Sequence, residues 1–326
     1  MSTAIQLPQA ILRDKPKLSP EAREEMRALA KMRPLRFLGE AVFTWVLIFS
    51  AIAIAAYAQS IPVSILAMVF VASRQNVLGL LVHDQAHCSS LKAWPGDLIV
   101  NLLCAYPLLV LTVEGYAQVH LSHHRYFFQD QDPDLHRKSG GDWSIPIPPL
   151  RLAKLFLGDF LMLNVLKLVK GKRLDVGDAY KRPRPTPSWV RLGFYAAVAT
   201  ALTLTQTWHL FLLYWLLPLL TFFQLIVRWG ALCEHEYNHR GTTVAETSPI
   251  IRLKWYEKLL FPNLNFTLHP YHHYHPGIGF YYLPRVHEIY VREGLVDESK
   301  VFDGYWSYLK FVVGRGGAQG NPATTA

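Results

Sequence analysis

Three clusters of histidine are the residues of this sequence most suited to chemistry. They are His83 and His87; His120, His123 and His124; and His269, His272 and His273. Side chains three or four positions apart share one face of a helix, so each cluster can direct its rings at one point. Neutral imidazole binds zinc, copper, iron and nickel, and the pattern therefore predicts a transition-metal site. One zinc ion takes about three or four protein ligands, so this many histidines favours two metal ions.

Several carboxylates lie close to these histidines in the sequence. A ligand set made only of imidazole leaves the metal charge uncompensated, and carboxylates hydrogen-bonded to the ligand rings would offset it. The candidates are Asp84, Asp130, Asp132, Asp134, Glu234 and Glu236. In contrast, His136, His209 and His287 stand alone, and an isolated histidine is most often a hydrogen-bonded residue without a metal.

A rival motif overlaps this region. His235, Glu236 and His239 match the zinc-protease pattern of two histidines flanking a general base, which in a membrane protein would indicate intramembrane proteolysis. Such a protease needs only one further ligand and leaves both histidine triplets unexplained. A metal transporter is a second alternative, but its ligands should lie along the spans and not at their ends.

The elements that must position the histidines are apolar. Apolar residues make up 51% of the 326 residues and charged residues 17%, below the roughly 25% of soluble proteins. Stretches over residues 37–58 and 61–82 are long enough for a bilayer core that needs about 20 residues. A second pair covers residues 190–205 and 210–227. We predict an all-α integral membrane protein with four transmembrane helices in two hairpins and a cytoplasmic helical cap that carries the histidines.

The charge distribution predicts an orientation. The turns at residues 59–60 and 206–209 carry no lysine or arginine, whereas the N-terminal arm over residues 1–36 is strongly basic. Both termini and all three clusters are then cytoplasmic, at the inner membrane if the source is bacterial. The net charge of +9 lies mainly in this arm and in residues 167–191, which predicts contact with anionic lipid and no nucleic acid.

Two further segments complete the predicted organisation. A catalytic domain over residues 37–290 is followed by a C-terminal segment over 291–326, which is disordered after Gly314. Residues 154–169 form either an interfacial helix or a helix of the cap.

The order of these motifs resembles the membrane fatty acid desaturases. The motifs are His-Asp-Gln-Ala-His at 83–87, His-Leu-Ser-His-His at 120–124 and His-Pro-Tyr-His-His at 269–273, with a pair of spans before the first and after the second. The resemblance covers about residues 37–290, and it is closest to the branch with sphingolipid and bacterial acyl-lipid desaturases.

The resemblance implies a di-iron oxidoreductase that uses dioxygen and two supplied electrons to desaturate a fatty acyl or related lipid chain. The ligands carried over from the family are His83, His87, His120, His123, His124, His235, His269, His272 and His273. Asp84, Glu234 and His239 are possible additional or supporting residues, although His239 has no firm counterpart. Pro270 departs from the family pattern, and because proline favours the first helical position, His269 is predicted to lie just before its helix.

Some alternatives stay open from the sequence. The same oxidant can desaturate, hydroxylate or form a ketone, so a lipid or carotenoid-type hydroxylase or ketolase is the main alternative. A membrane protein that binds metal without catalysis is a third class. The chain lacks a nicotinamide fingerprint and a cysteine-ligated iron–sulfur pattern, so an external electron donor of ferredoxin or cytochrome b5 type is expected.

Overall fold

The computed structural model describes residues 14–109, 111–163, 166, 180–237 and 243–315, and these are mainly helical, as predicted. His239, residues 167–179 of the predicted basic segment and the tail from residue 316 lie outside the described residues. The helices are α1 (Pro20–Leu29), α2 (Pro34–Ala58), α3 (Ile61–Ala86), α4 (Ala93–Leu108), α5 (Val113–Arg125), α6 (Pro133–Arg137), α7 (Pro149–Phe160), α8 (Ser188–Leu204), α9 (Trp208–Glu234), α10 (Val244–Thr247), α11 (Trp255–Leu260), α12 (His269–Tyr274), α13 (Leu283–Arg292) and α14 (Gly304–Val312). The strands are β1 (Ile250–Ile251) and β2 (Val301–Phe302).

Within the described residues, three helices, α2, α3 and α9, are long and apolar enough to cross a membrane. The first hairpin turns where expected, because Gln59 ends α2 in the left-handed conformation with φ of 46°. α8 is apolar but covers 17 residues, at the short limit of about 17 to 25 for a spanning helix. The arrangement of four spans in two hairpins therefore remains a prediction.

A bent apolar helix pair between the first two histidine clusters was not predicted. α4 and α5 together have the length and hydropathy of one span, but they are bent by 91° at the break between them. Asn101 of α4 bonds to the first residues of α5 across the bend. Its side-chain oxygen accepts from the Val113 amide at 2.8 Å, and its NH2 group donates to the Glu114 carboxylate at 2.9 Å. The helix α4 is not evident from the sequence because Asn101 and Pro107 interrupt its apolar run.

The helix α3 lies at the centre of the largest apolar core. Val71 and Leu78 are fully buried, and α3 packs against α2, α5 and α9. The side-chain amide of Gln75 donates to the Trp215 carbonyl at 2.8 Å, and the Trp215 indole donates to the Pro107 carbonyl at 2.9 Å. These bonds fix α3, α4 and α9 relative to one another, and thereby position the end of α3 that carries the first histidine cluster.

The C-terminal segment packs against the end of α9. Strand β2 pairs in parallel with β1, and the Tyr308 hydroxyl of α14 donates to the Leu232 carbonyl at 2.6 Å. The Lys300 ammonium also donates to Glu236 at 3.0 Å. The residues that follow α9 are therefore held by elements far later in the chain.

The N-terminal arm also contacts the protein, which the sequence analysis did not predict. Ser19 caps α1 by accepting from the Ala22 amide at 3.1 Å, and Ala22 is fully buried. The Glu25 carboxylate accepts from the guanidinium groups of Arg285 and Arg292 on α13. The described part of the arm is thus bound to the helix that follows the third histidine cluster.

Candidate metal centre

The first histidine cluster lies at the end of α3. His83 is on the helix, and His87 directly follows its last residue. The Arg182 guanidinium holds this end by donating to the carbonyl oxygens of Gln85 at 3.1 Å and Ala86 at 2.9 Å. Because the last carbonyls of a helix lack partners within it, a cation that bonds to them stabilises the helix end. Arg182 therefore fixes the backbone that carries both rings.

The second cluster lies on α5. The Thr112 hydroxyl accepts from the Gly115 amide at 3.0 Å and caps the start of this helix. His120, His123 and His124 occupy its last turns, and all three are buried. As the sequence predicted, a single helix presents all three rings.

The third cluster lies on α12, and here one prediction was wrong. His269 is the first residue of the helix and not the residue before it. Pro270 occupies the second position, where the amide also has no acceptor within the helix, so proline is tolerated there as well. His272 and His273 follow on the same short helix, and every residue of α12 is buried.

The structure brings nine histidines together in two groups. In the first group, ligand atoms of His83, His87, His120 and His272 all lie within 4.8 Å of one another. His124 completes it, with its Nε2 3.1 Å from that of His120 and 3.2 Å from that of His272. This first group is His83, His87, His120, His124 and His272.

The second group holds the other four rings. His123, His235 and His273 also place ligand atoms within 4.8 Å of one another, and the His269 Nε2 lies 3.1 Å from that of His273. The groups adjoin, because the rings of His124 and His273 stack at 4.1 Å between centroids. The structure thus separates the five rings of the first group from four in the second: His123, His235, His269 and His273.

The donor set fits a pair of transition-metal ions. Two ligand nitrogens bound to one ion at about 2.0–2.1 Å lie roughly 3 Å apart, close to the 2.9 Å between the Nε2 atoms of His87 and His120. Neutral imidazole is the form that binds metal. Five of the nine rings lie outside the candidate spans, and burial lowers the pKa of each well below the usual range of histidine. They are His87, His235, His269, His272 and His273.

The comparisons with known proteins agree with this geometry. The family model described as fatty acid desaturase matches residues 58–306, most of the chain and all nine histidines. The chain belongs to the fatty acid desaturase family. It is also similar to a dihydrorhizobitoxine desaturase of Bradyrhizobium elkanii, 26% identical over an alignment of 293 residues, which covers 83% of this chain and 80% of the relative. The predicted family is therefore confirmed, and the chain is a desaturase-type oxidoreductase at the level of the family.

Asp132 is the predicted carboxylate that the protein places against a histidine of the candidate centre. Its two oxygens lie 2.9 and 3.0 Å from the His123 Nδ1. The same carboxylate accepts from the backbone amides of Phe128 and Asp134, each at 2.9 Å. These amides fix the carboxylate, so the Nδ1 proton of His123 faces Asp132 and the Nε2 lone pair faces the second group.

The remaining predicted carboxylates bond elsewhere. Asp84 accepts from the hydroxyls of Ser89 at 2.6 Å and Ser90 at 2.9 Å. Glu234 lies 3.5 Å from the Lys138 ammonium and Glu236 bonds to Lys300. The side chain of Asp130 is exposed. These carboxylates are therefore close to the histidines in the sequence but bond to other groups in the structure.

A partly buried lysine, Lys138, compensates the carboxylates beside the second group. The Lys138 ammonium lies 2.8 Å from Asp134 and donates to the Tyr237 hydroxyl at 2.8 Å. Burial alone would lower the pKa of Lys138, but the Asp134 carboxylate raises it well above its ordinary value. The ion pair in turn lowers the pKa of Asp134 against the opposing effect of burial. Both groups therefore remain charged near neutral pH.

Ser248 contacts the candidate centre but was not predicted from the sequence. Its hydroxyl lies 2.8 Å from the His235 Nδ1, and it is buried. A backbone hydrogen bond from the Glu236 amide to the Thr247 carbonyl, at 2.7 Å, closes the loop that brings the serine to the ring. No local pattern marks this serine, because only the folded loop places it beside His235.

We expect Ser248→Ala to lower metal affinity by about tenfold, because partners of ligand histidines typically contribute about 10- to 100-fold. Alanine leaves His235 free to rotate and removes the acceptor that fixes its tautomer. The measurement is metal retained by the purified protein against a graded chelator. Ser139→Ala, at an exposed serine, is the matched control, and equal retention by both variants would show that Ser248 does not orient the ring.

Aromatic side chains surround the histidines. The Phe266 ring lies 4.3 Å from that of His83, and the Phe127 ring lies 5.1 Å from that of His235. Both phenylalanines are buried. They exclude water from the two groups and restrict the rotation of the imidazoles.

The isolated histidines lie outside both groups. His136 bonds to the Asp130 carbonyl, and the His287 Nδ1 lies 2.8 Å from the Tyr271 hydroxyl. His209 is exposed in α9. The extra histidine after the third cluster, His275, bonds to the Tyr290 hydroxyl at 2.9 Å.

Proposed function

We propose that this chain is a membrane-bound di-iron oxidoreductase that uses dioxygen to desaturate a fatty acyl or related lipid chain. The observation that carries the proposal is the convergence of nine buried imidazoles into two adjoining groups. Two groups of nitrogen ligands suit two transition-metal ions. Membership of the desaturase family supports iron as the metal and an oxidation as the reaction.

The two groups would hold one iron each. When bound, the iron pair would supply the oxidant that takes hydrogen from an unactivated carbon. The chain's own residues supply the geometry and the environment. Asp132 and Ser248 orient His123 and His235 through their Nδ1 atoms, and the aromatic rings of Phe127 and Phe266 shield the centre from water.

Desaturation is preferred over hydroxylation or ketone formation because the similar protein of Bradyrhizobium elkanii is named a desaturase. The zinc-protease alternative is weakened, since Glu236 is paired with Lys300 and His235 belongs to the second group of histidines. His239, its other ligand, lies outside the described residues. An external ferredoxin or cytochrome b5 would supply the electrons, because the sequence carries no pattern for an electron-transfer cofactor of its own.

The proposed setting is the lipid bilayer, crossed by two hairpins, α2 with α3 and α8 with α9; α2, α3 and α9 have the length and hydropathy of a span, and α8 is a shorter apolar helix. We place the metal centre and both termini on the cytoplasmic side, because the basic residues before α2 favour that side. The apolar substrate would then reach the centre from within the membrane.

Lipid profiling tests the proposal. Cells that express the wild-type chain should contain a lipid lighter by two hydrogens, and cells that express His273→Ala at an equal membrane level should lack it. A gain of one oxygen in the same comparison would identify a hydroxylase. Lipid and fatty acid profiles that match between the two strains in air, with iron bound to the wild type, would remove lipid as the substrate class.

A further inference from the structure

The short helix α11 is folded with its apolar face outward. Trp255 is 77% exposed, Leu259 57% and Leu260 53%, whereas the buried residue of this helix is Glu257. Phe261, which directly follows, is also exposed. Such a continuous apolar surface outside the long spans marks an interaction site.

Polar bonds prevent α11 from turning this face inward. The Glu257 carboxylate accepts from the backbone amides of Lys254 and Tyr305, each at 2.8 Å. Gly304 leaves space for it, because a Cβ there would lie 2.6 Å from the carboxylate. Rotating α11 would bury its apolar side chains but expose Glu257 and break both bonds.

Two further bonds fix the height of α11 along the span α3. The Arg74 guanidinium donates to the Leu259 carbonyl at 2.7 Å, and the Asn76 side chain donates to the Pro262 carbonyl at 3.2 Å. Arg74 lies about 20 Å along the helix axis from Ile61, at 1.5 Å per residue. This level is toward the histidine end of α3, where the apolar span gives way to polar residues.

We propose that the outward face of α11 lies in the headgroup layer of the bilayer, with Trp255, Leu259 and Leu260 among the acyl chains. Tryptophan and tyrosine favour this layer, and Trp255 and Tyr256 begin the helix. Lys258 is exposed on the same helix and can pair with anionic headgroups. A lipid surface satisfies the apolar and the cationic side chains together.

The helix α7 shows the same arrangement at another span. Leu150 is 69% exposed and Leu157 56%, whereas Asp159 is buried and pairs with Arg228 of α9. Both short helices are therefore tied to a span by a buried arginine and direct leucines away from the protein. This repetition favours one shared environment, the membrane surface, over two separate protein partners.

Photo-crosslinking in anionic lipid vesicles tests the proposal on the full chain. p-Benzoylphenylalanine replaces Trp255 in one variant, Leu259 in a second and the exposed, polar Ser139 in a control. We expect phospholipid adducts at the first two positions, in about tenfold higher yield than at Ser139, because only an interfacial helix face meets acyl chains.

Two outcomes would overturn the proposal. A crosslink from Trp255 to a second copy of the chain or to another protein would show that α11 is a protein interface. Lipid adducts no more abundant than at Ser139 would show that the face is in water. The experiment needs no turnover, so its failure would leave the proposed desaturase function standing.

Discussion

His124→Ala should abolish oxygen-dependent turnover and lower bound metal, with affinity falling by at least about 100-fold, since even the partners of ligand histidines contribute about 10- to 100-fold. The reason is its position. His124 has its Nε2 close to those of His120 and His272 in the first group, and its ring stacks on His273 of the second. Metal analysis of the purified protein and product formation in membranes are the two measurements.

The matched control is His209→Ala, because that histidine is exposed and lies outside both groups. It should keep wild-type metal content and activity. Full iron content and full turnover in His124→Ala would remove this histidine from the ligand set. Equal losses in the two variants would instead indicate a general folding defect.

Asp132→Asn should lower metal affinity and turnover by about 10- to 100-fold. Asp132 is the N-cap of α6, where its side chain accepts from the Asp134 and Leu135 amides. Asparagine is nearly the same size and can still cap this helix, but it lacks the charge that strengthens the bond from the His123 Nδ1. The backbone amides that bond to the carboxylate would also lose a charged acceptor. Chelator competition measures the affinity, and rates at saturating iron separate weaker binding from slower chemistry.

Asp130→Asn is the control for this substitution, because Asp130 lies two positions away and is exposed. Its metal affinity should match the wild type. If Asp132→Asn also retains wild-type affinity, the carboxylate serves only to cap α6 and does not act on the metal centre.

The structure brings the histidines of the three clusters together, and helical spacing indicated these clusters because it is a local property of the sequence. His235 was expected only from the family resemblance. His83, His120 and His272 belong to motifs whose order also revealed the family. The assignment of the rings to two groups was beyond the sequence, since it depends on how α3, α5 and α12 pack against one another. His124 and His123 are neighbours on α5, yet they fall into different groups.

Supporting residues were harder to predict than the histidines. Asp132 was one of six carboxylates near the motifs, and nothing in the sequence separated it from Asp84 or Glu234. Ser248 acts across a loop, so only the folded backbone reveals it. The bend between α4 and α5 was missed for a similar reason, because Asn101 bonds to residues beyond the break.

The histidines of the centre come from widely separated parts of the chain, from His83 at the end of α3 to His273 on α12. When only the first two clusters have been synthesised, His235 and every residue of α12 are still missing from the nascent chain. The complete ligand set therefore exists only after synthesis of the third cluster, and docking of α12 is the step that closes the site. Until then, the nascent protein holds a half-built centre in the membrane, open to whichever metal arrives first.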